Sequence, residues 1–146
     1  MSLKIQFAVL LSVLALSACA TKPMDHARAS PVPTERLAGF QKPIDGPSGT
    51  LVLTRDRGFL GSGCYYGFFI NNELAARIDN SETATFVVPV GELVLRVGRD
   101  PSGRALCGMD KEEWTQRETI FREGEKKYFR LSIDPNGKTD IQRADP

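Results

Sequence analysis

The chain has 146 residues, 25% charged and 41% hydrophobic, which suits one globular domain and leaves no room for a second domain devoted to a cofactor. A formal charge of +1 gives no basic field of the kind that binds nucleic acid. His26 is the only histidine, so a histidine-based triad or a multi-histidine zinc site has almost nothing to work with.

The first segment reads as an address. Lys4 precedes an apolar run from Ile5 to Leu16, broken only by Gln6 and Ser12. The run is shorter than the roughly 20 residues that span a bilayer and has the length of a signal-peptide core. It ends in Leu16-Ser17-Ala18-Cys19, which resembles the bacterial lipobox. On that reading residues 1–18 are a lipoprotein signal peptide. The Cys19 thiol takes the diacylglycerol, and two or more acyl chains make the anchoring stable. Ala20 stands where an aspartate would signal inner-membrane retention, which resembles a sorting choice for the outer membrane, facing the periplasm. Loss of Lys4, the only charged residue among 1–18, leaves basic and acidic side chains equal in number. Lipid, rather than charge, then holds the domain on the membrane.

Residues 19–48 comprise the lipidated cysteine and a segment with five prolines, Pro23, Pro31, Pro33, Pro43 and Pro47, and no apolar periodicity. This composition predicts a disordered tether with His26 solvated inside it. From 49 to 146 the pattern changes to period two. Leu51 and Leu53, then Tyr66, Phe68 and Ile70, then Leu93, Leu95 and Val97, and finally Phe129, Leu131 and Ile133 recur at alternate positions. Asn71-Asn72, Asp79-Asn80-Ser81, Pro89-Val90-Gly91, Glu123-Gly124 and Pro135-Asn136-Gly137 supply turns between them. The spacing predicts an all-β fold, an antiparallel β-sandwich of seven or eight strands near 50–55, 64–71, 74–78, 84–88, 92–98, 115–121, 127–134 and 138–143. Asp110 and Glu113 stand at capping-box spacing, so a helical turn is expected over 110–114.

Once Cys19 is lipidated, Cys64 and Cys107 remain, and in an oxidising compartment an even pair reads as a disulfide. The chain-entropy model gives such a long loop about 4 kcal/mol. The rival reading is two reactive thiols, but the pair lacks C-x-x-C spacing and a histidine nearby in sequence.

Between Gly49 and Asp134 four stretches carry a resemblance. They are Phe59-Leu60-Gly61-Ser62, the strand Tyr66 to Ile70 running into Asn71-Asn72-Glu73, the run Thr85 to Glu92, and the run Glu123 to Arg130. Together they resemble small bacterial lipoprotein domains of the PEGA-like β-sandwich type. Asn72 replaces that family's turn glycine and Val90 its second proline, and both still permit a turn. The resemblance implies an envelope domain that binds glycan or protein and brings no catalytic residues.

Several clusters are candidates for function. Gly58 to Gly63 is glycine-rich but lacks the Gly-Lys-Ser/Thr of a phosphate loop, so it reads as a connection beside the disulfide. Alternation puts Tyr66 and Phe68 in the core and turns Tyr65 and Phe69 outward, where they could stack on a sugar unless a loop or the tether covers them. Arg99, Asp100, Arg104 and Asp110 surround Cys107 in a long loop and could grip a carboxylate or peptide. Asp134, Asn136 and Asp140 read as a hairpin turn rather than a calcium loop, and no metal or cofactor is expected. The expected function is a non-catalytic, lipid-anchored periplasmic module binding envelope protein or peptidoglycan. The alternative is a small envelope glycoside hydrolase built on two converging carboxylates.

Overall fold

The computed structural model describes residues 21–109 and 113–146. The expected signal peptide, Cys19, Ala20 and Asp110 lie outside the described residues. Within them the chain forms β1 (Ser30–Pro31), β2 (Ser48–Arg55), β3 (Tyr66–Ile70), β4 (Glu73–Ile78), β5 (Glu82–Pro89), β6 (Gly91–Arg99), β7 (Trp114–Phe121), β8 (Lys126–Ile133) and β9 (Thr139–Ala144). One sheet has the order β1-β5-β2-β8-β9 and the other β4-β3-β6-β7. All eight expected strands are present, and the fold is an all-β sandwich.

The sheets are not all antiparallel. The four-stranded sheet is, but β2 runs parallel to β8, and β1 parallel to β5. Alternation within a strand reports which face is buried and is silent about the direction of the neighbour. The helical turn expected over 110–114 falls on residues 110–112, outside the described residues; a short 3-10 turn occupies Ala105–Gly108, and β7 begins at Trp114. Turn chemistry explains the hairpins. Asn71 and Asn72 both have positive φ, 49° and 67°, the geometry of a two-residue hairpin turn that asparagine tolerates.

The core lies between the sheets and includes Leu51, Leu53, Phe68, Ile70, Phe86, Leu95, Phe129 and Leu131. Phe68 and Phe86 meet across it with ring centroids 5.4 Å apart. Among the described residues four charges are buried, and each has hydrogen-bond partners, although Arg55 Nε is left without one. Asp56 accepts from Arg130 and from the Met24 N–H, Glu82 from Arg36, and Asp100 from Arg77. Arg55, 1% exposed, donates to the carbonyls of Gly61, Cys64 and Ile78 at 2.6, 2.8 and 3.0 Å. Its desolvation pushes the guanidinium below its ordinary value.

The expected tether is corrected over residues 21–47, which pack on the sandwich. Thr21 bonds the Ile133 backbone, Lys22 bridges Arg57, and β1 extends the sheet beside β5. Val32 is 5% exposed in the core, with Leu37 and Phe40 against it. Leu37 and Ala38 hold the edge of β4, and the Phe40 carbonyl accepts from the Val87 N–H. His26, expected in solvent, lies with its ring centroid 4.6 Å from that of Tyr128. The prolines suit this course, because a strap along a sheet edge needs extended backbone and few donors.

The strap thus closes one side of the sandwich, between the edges of β4 and β5. The opposite side, between β7 and β9, is closed by polar groups. Thr115 Oγ1 donates to the Thr139 carbonyl at 2.5 Å, Arg117 Nε to the Ile141 carbonyl at 3.0 Å, and Arg117 Nη2 to Asp140 at 2.9 Å.

Two outcomes follow. A chain starting at Pro47 loses Val32, Leu37 and Phe40, each buried apolar side chain contributing about 1.5–3 kcal/mol when fully covered. It also leaves Glu82 buried without Arg36. Its melting temperature is expected to fall by more than about 10 °C, and Arg36→Ala alone should cost about 3 kcal/mol by chemical denaturation. At the other seam, partial burial pushes the Asp140 carboxyl up. Hydrogen bonds from Gln142 and Arg117 outweigh this and hold it below its ordinary value. A depressed carboxyl stabilises the fold above its unfolded-state value and ceases to do so as pH falls through the folded one. The stability gap between wild type and Asp140→Asn should therefore be largest near neutral pH and shrink as pH drops below about 4 in pH-resolved urea melts.

Candidate functional site

Two glycines lie side by side on neighbouring strands, Gly67 on β3 and Gly98 on β6. Each leaves bare backbone on the outer face of the four-stranded sheet, and aromatic rings fill the space. A Cβ on Gly67 would stand 2.7 Å from the Phe69 ring and 2.9 Å from Pro101, and one on Gly98 2.8 Å from the Trp114 ring. Phe69 and Trp114 meet edge to face, centroids 5.0 Å apart at 78°. The Arg96 guanidinium lies 4.5 Å over Trp114 and donates to Asn72 Oδ1 at 2.7 Å. Toward the strap, Tyr65 is covered by Arg36 at 4.4 Å and Arg77 at 5.2 Å. Hydrogen bonds to Asp100, at 2.8 and 2.6 Å, raise the Arg77 guanidinium above its ordinary value.

This band ends at strand β7, which pairs with β6 alone among the described residues. Val94 sends its N–H and C=O to Asn71, on the β3 side. Its partner on β7, Glu118, is therefore the non-hydrogen-bonded member of the ladder. By alternation Trp114, Gln116, Glu118 and Ile120 aim their backbone N–H and C=O at the open edge. Lys127 Nζ reaches the Ile120 carbonyl, so the open stretch is Trp114 to Glu118. The side chains of Trp114, Gln116, Glu118 and Ile120 are all exposed on the outer face. Backbone and aromatic platform together can take an extended segment as an additional strand.

The residues singled out in the sequence separate. Cys64 and Cys107 are bonded, with Cα atoms 5.3 Å apart, so the two-thiol reading falls. Tyr65 and Phe69 do face outward, but both are half-covered, Tyr65 by the strap itself. Asp100 is not placed to grip a ligand. It is 2% exposed, and its carboxylate is engaged by Arg77 and the Ser102 N–H. Arg99 turns to the inner side, 5.4 Å from the Tyr66 ring, in a groove of about 750 Å³ shared with Trp114, Asn136 and Lys138. Arg104 is exposed before the 3-10 turn. Asp134 Oδ1 accepts the N–H groups of Asn136 and Lys138, as a hairpin turn requires.

Trp114, Arg96 and the open edge were not found by pattern. The apolar residues Trp114, Ile120 and Phe121 fall on both parities of β7, so alternation assigns no inner face. The pair Gly67 and Gly98 was the available signal, since glycine inside a strand marks close approach of another group. Compared with known proteins, the chain matches no family model and no curated protein sequence.

Because Trp114 is the only tryptophan, its fluorescence reports the platform directly. Gly98→Ala should displace the indole, shift its emission to the red and cost about 1–3 kcal/mol, whereas Gly46→Ala, in open space but strained at its positive φ, should cost stability and leave the emission unchanged.

Proposed function

We propose that the protein is a non-catalytic envelope module, anchored by acyl chains on Cys19 to the outer membrane and facing the periplasm. It binds an envelope protein by taking an extended segment onto β7. The observation that carries this is the open backbone edge from Trp114 to Glu118, flanked by an exposed tryptophan. Strand addition draws affinity from main-chain hydrogen bonds and selectivity from alternate side chains. Here Trp114, with Phe69 and Arg96 beneath and beside it, offers an apolar and cationic contact for those side chains. The inward-pointing Arg117 on the same strand disfavours indiscriminate edge-to-edge pairing.

Resemblance to PEGA-like lipoprotein domains agrees with a binding role. So does the use of the buried carboxylates. A glycoside hydrolase needs one acid that keeps its proton and a second facing it. Asp56, Glu82 and Asp100 are each hydrogen-bonded to an arginine instead, with no second carboxylate among those partners.

Gln116→Pro tests the edge. Its N–H points away from β6, so proline there spares the ladder and removes a donor that an added strand would use. Wild type should capture a protein from envelope extract, with the variant folded but binding about tenfold more weakly. Equal capture by both, or binding to purified peptidoglycan that the variant retains, overturns this reading.

A further inference from the structure

The end of the sandwich where segments 56–65, 79–81, 100–109 and 134–138 gather carries an unusual surface. Phe59 is 85% exposed, Leu106 77% and Met109 55%. Large apolar side chains this bare, gathered at one end of a domain, are candidates for an interaction surface. They do not sit on loose loops. Cys64–Cys107 joins the two segments that bear them. Arg55 holds the carbonyls of Gly61 and Cys64 from below, and Asn80 exchanges two hydrogen bonds with the Gly58 backbone. Phe59 is thus offered outward by a braced loop.

The described chain enters at this same end. Thr21 is fixed to the Ile133 backbone by three hydrogen bonds, and Lys22 and Arg57 exchange backbone bonds at 2.7 and 3.0 Å. A Cβ on Gly58 would stand 2.8 Å from Thr21, so Thr21 lies against the residue next to Phe59. Cys19 is two residues before Thr21, a covalent reach of at most about 7 Å.

We infer that this loop end is a membrane-docking surface. Phe59, Leu106 and Met109 enter the boundary between headgroups and acyl chains, and exposed Lys22, Arg57 and Arg104 meet anionic headgroups. The inference rests on acylation of Cys19 in the proposed function, and it replaces a swinging tether with a rigid mount. With Thr21 pinned, lipid on Cys19 has no spacer that would lift Phe59 away from the bilayer. The apolar tips then add area to the anchor, and the domain is held at a fixed tilt rather than tumbling.

The test uses the full chain, acylated in cells and reconstituted into vesicles of phosphatidylethanolamine and phosphatidylglycerol with brominated acyl chains. In a Trp114→Phe background, Phe59→Trp should lose most of its emission to bromine quenching. Val90→Trp, at the opposite end, should keep it. If the mature chain carries acyl mass and floats with the vesicles but Phe59→Trp is not quenched, the docking surface is wrong and the anchor stands. If the chain carries no acyl mass, the anchor and the docking inference fall together. Hydrogen exchange on the chain with native Trp114 gives a second reading that needs no new tryptophan. Amides of residues 58–64 and 103–109 should exchange several-fold more slowly on vesicles than in the unacylated Cys19→Ser chain. Equal rates in an acylated, vesicle-bound protein overturn the docking surface.

Discussion

A buried guanidinium organises the loop end of this protein. Arg55 closes β2 with its charge inside the sandwich, 4.7 Å from the Tyr66 ring, and reaches carbonyls of the 58–64 loop and of β4. Desolvating a charge costs several kcal/mol unless hydrogen bonds replace the lost water. The carbonyls can supply those bonds only if the loop between β2 and β3 folds back over the end of the sheets. One cation thus dictates the path of the segment that carries Gly58, Phe59 and Cys64. The disulfide extends the constraint to the segment around Cys107. Loops that would otherwise be the least stable part of a sandwich become a fixed surface.

The same economy governs the sides. A sandwich of two open sheets has two gaps where edge strands meet, and each exposes backbone and core to water. One gap is filled by the strap, whose Val32, Leu37 and Phe40 complete the core while Arg36 neutralises Glu82. The other is sealed by threonines and by Arg117, polar groups that bond across the seam but leave the outer backbone of β7 unpaired. The two closures differ in consequence: the strap removes an edge, and the polar seam leaves one available.

Much of the fold was legible in the sequence. Eight strands, their turns and the inner faces of the four that alternate clearly (β2, β3, β6 and β8) follow from period-two alternation and from Asn, Asp, Pro and Gly between the runs. The disulfide follows from counting cysteines. Three features did not follow, each for a physical reason. The strap has no periodicity because it touches several elements once each instead of packing one face, so its prolines read as disorder. The buried roles of Arg55 and Asp100 are tertiary, since a charged residue at a strand end looks solvent-facing until its partner is known. The platform was half legible: Phe69 is on the expected face, but its neighbour Trp114 comes from a strand whose apolar residues obey no single parity.

Strap, braced loops and open edge also bear on one another. A lipid anchor on a flexible spacer would let the domain rotate, and a partner strand would meet β7 in any orientation. Such freedom must be given up on binding, and its loss weakens the complex. In this chain the path from Cys19 leads within two residues to Thr21, which is fixed to the end of β8, while β7 begins at the same end with Trp114. If lipid holds that end, β7 runs outward from the membrane with its open edge facing sideways. An extended segment of another anchored protein could then lie beside it without either partner leaving the bilayer. The search is reduced to the membrane plane, and part of the orientational cost is met before the partners touch. A small domain whose edge offers few main-chain bonds would gain most from that arrangement, because few bonds suffice once the geometry is set in advance.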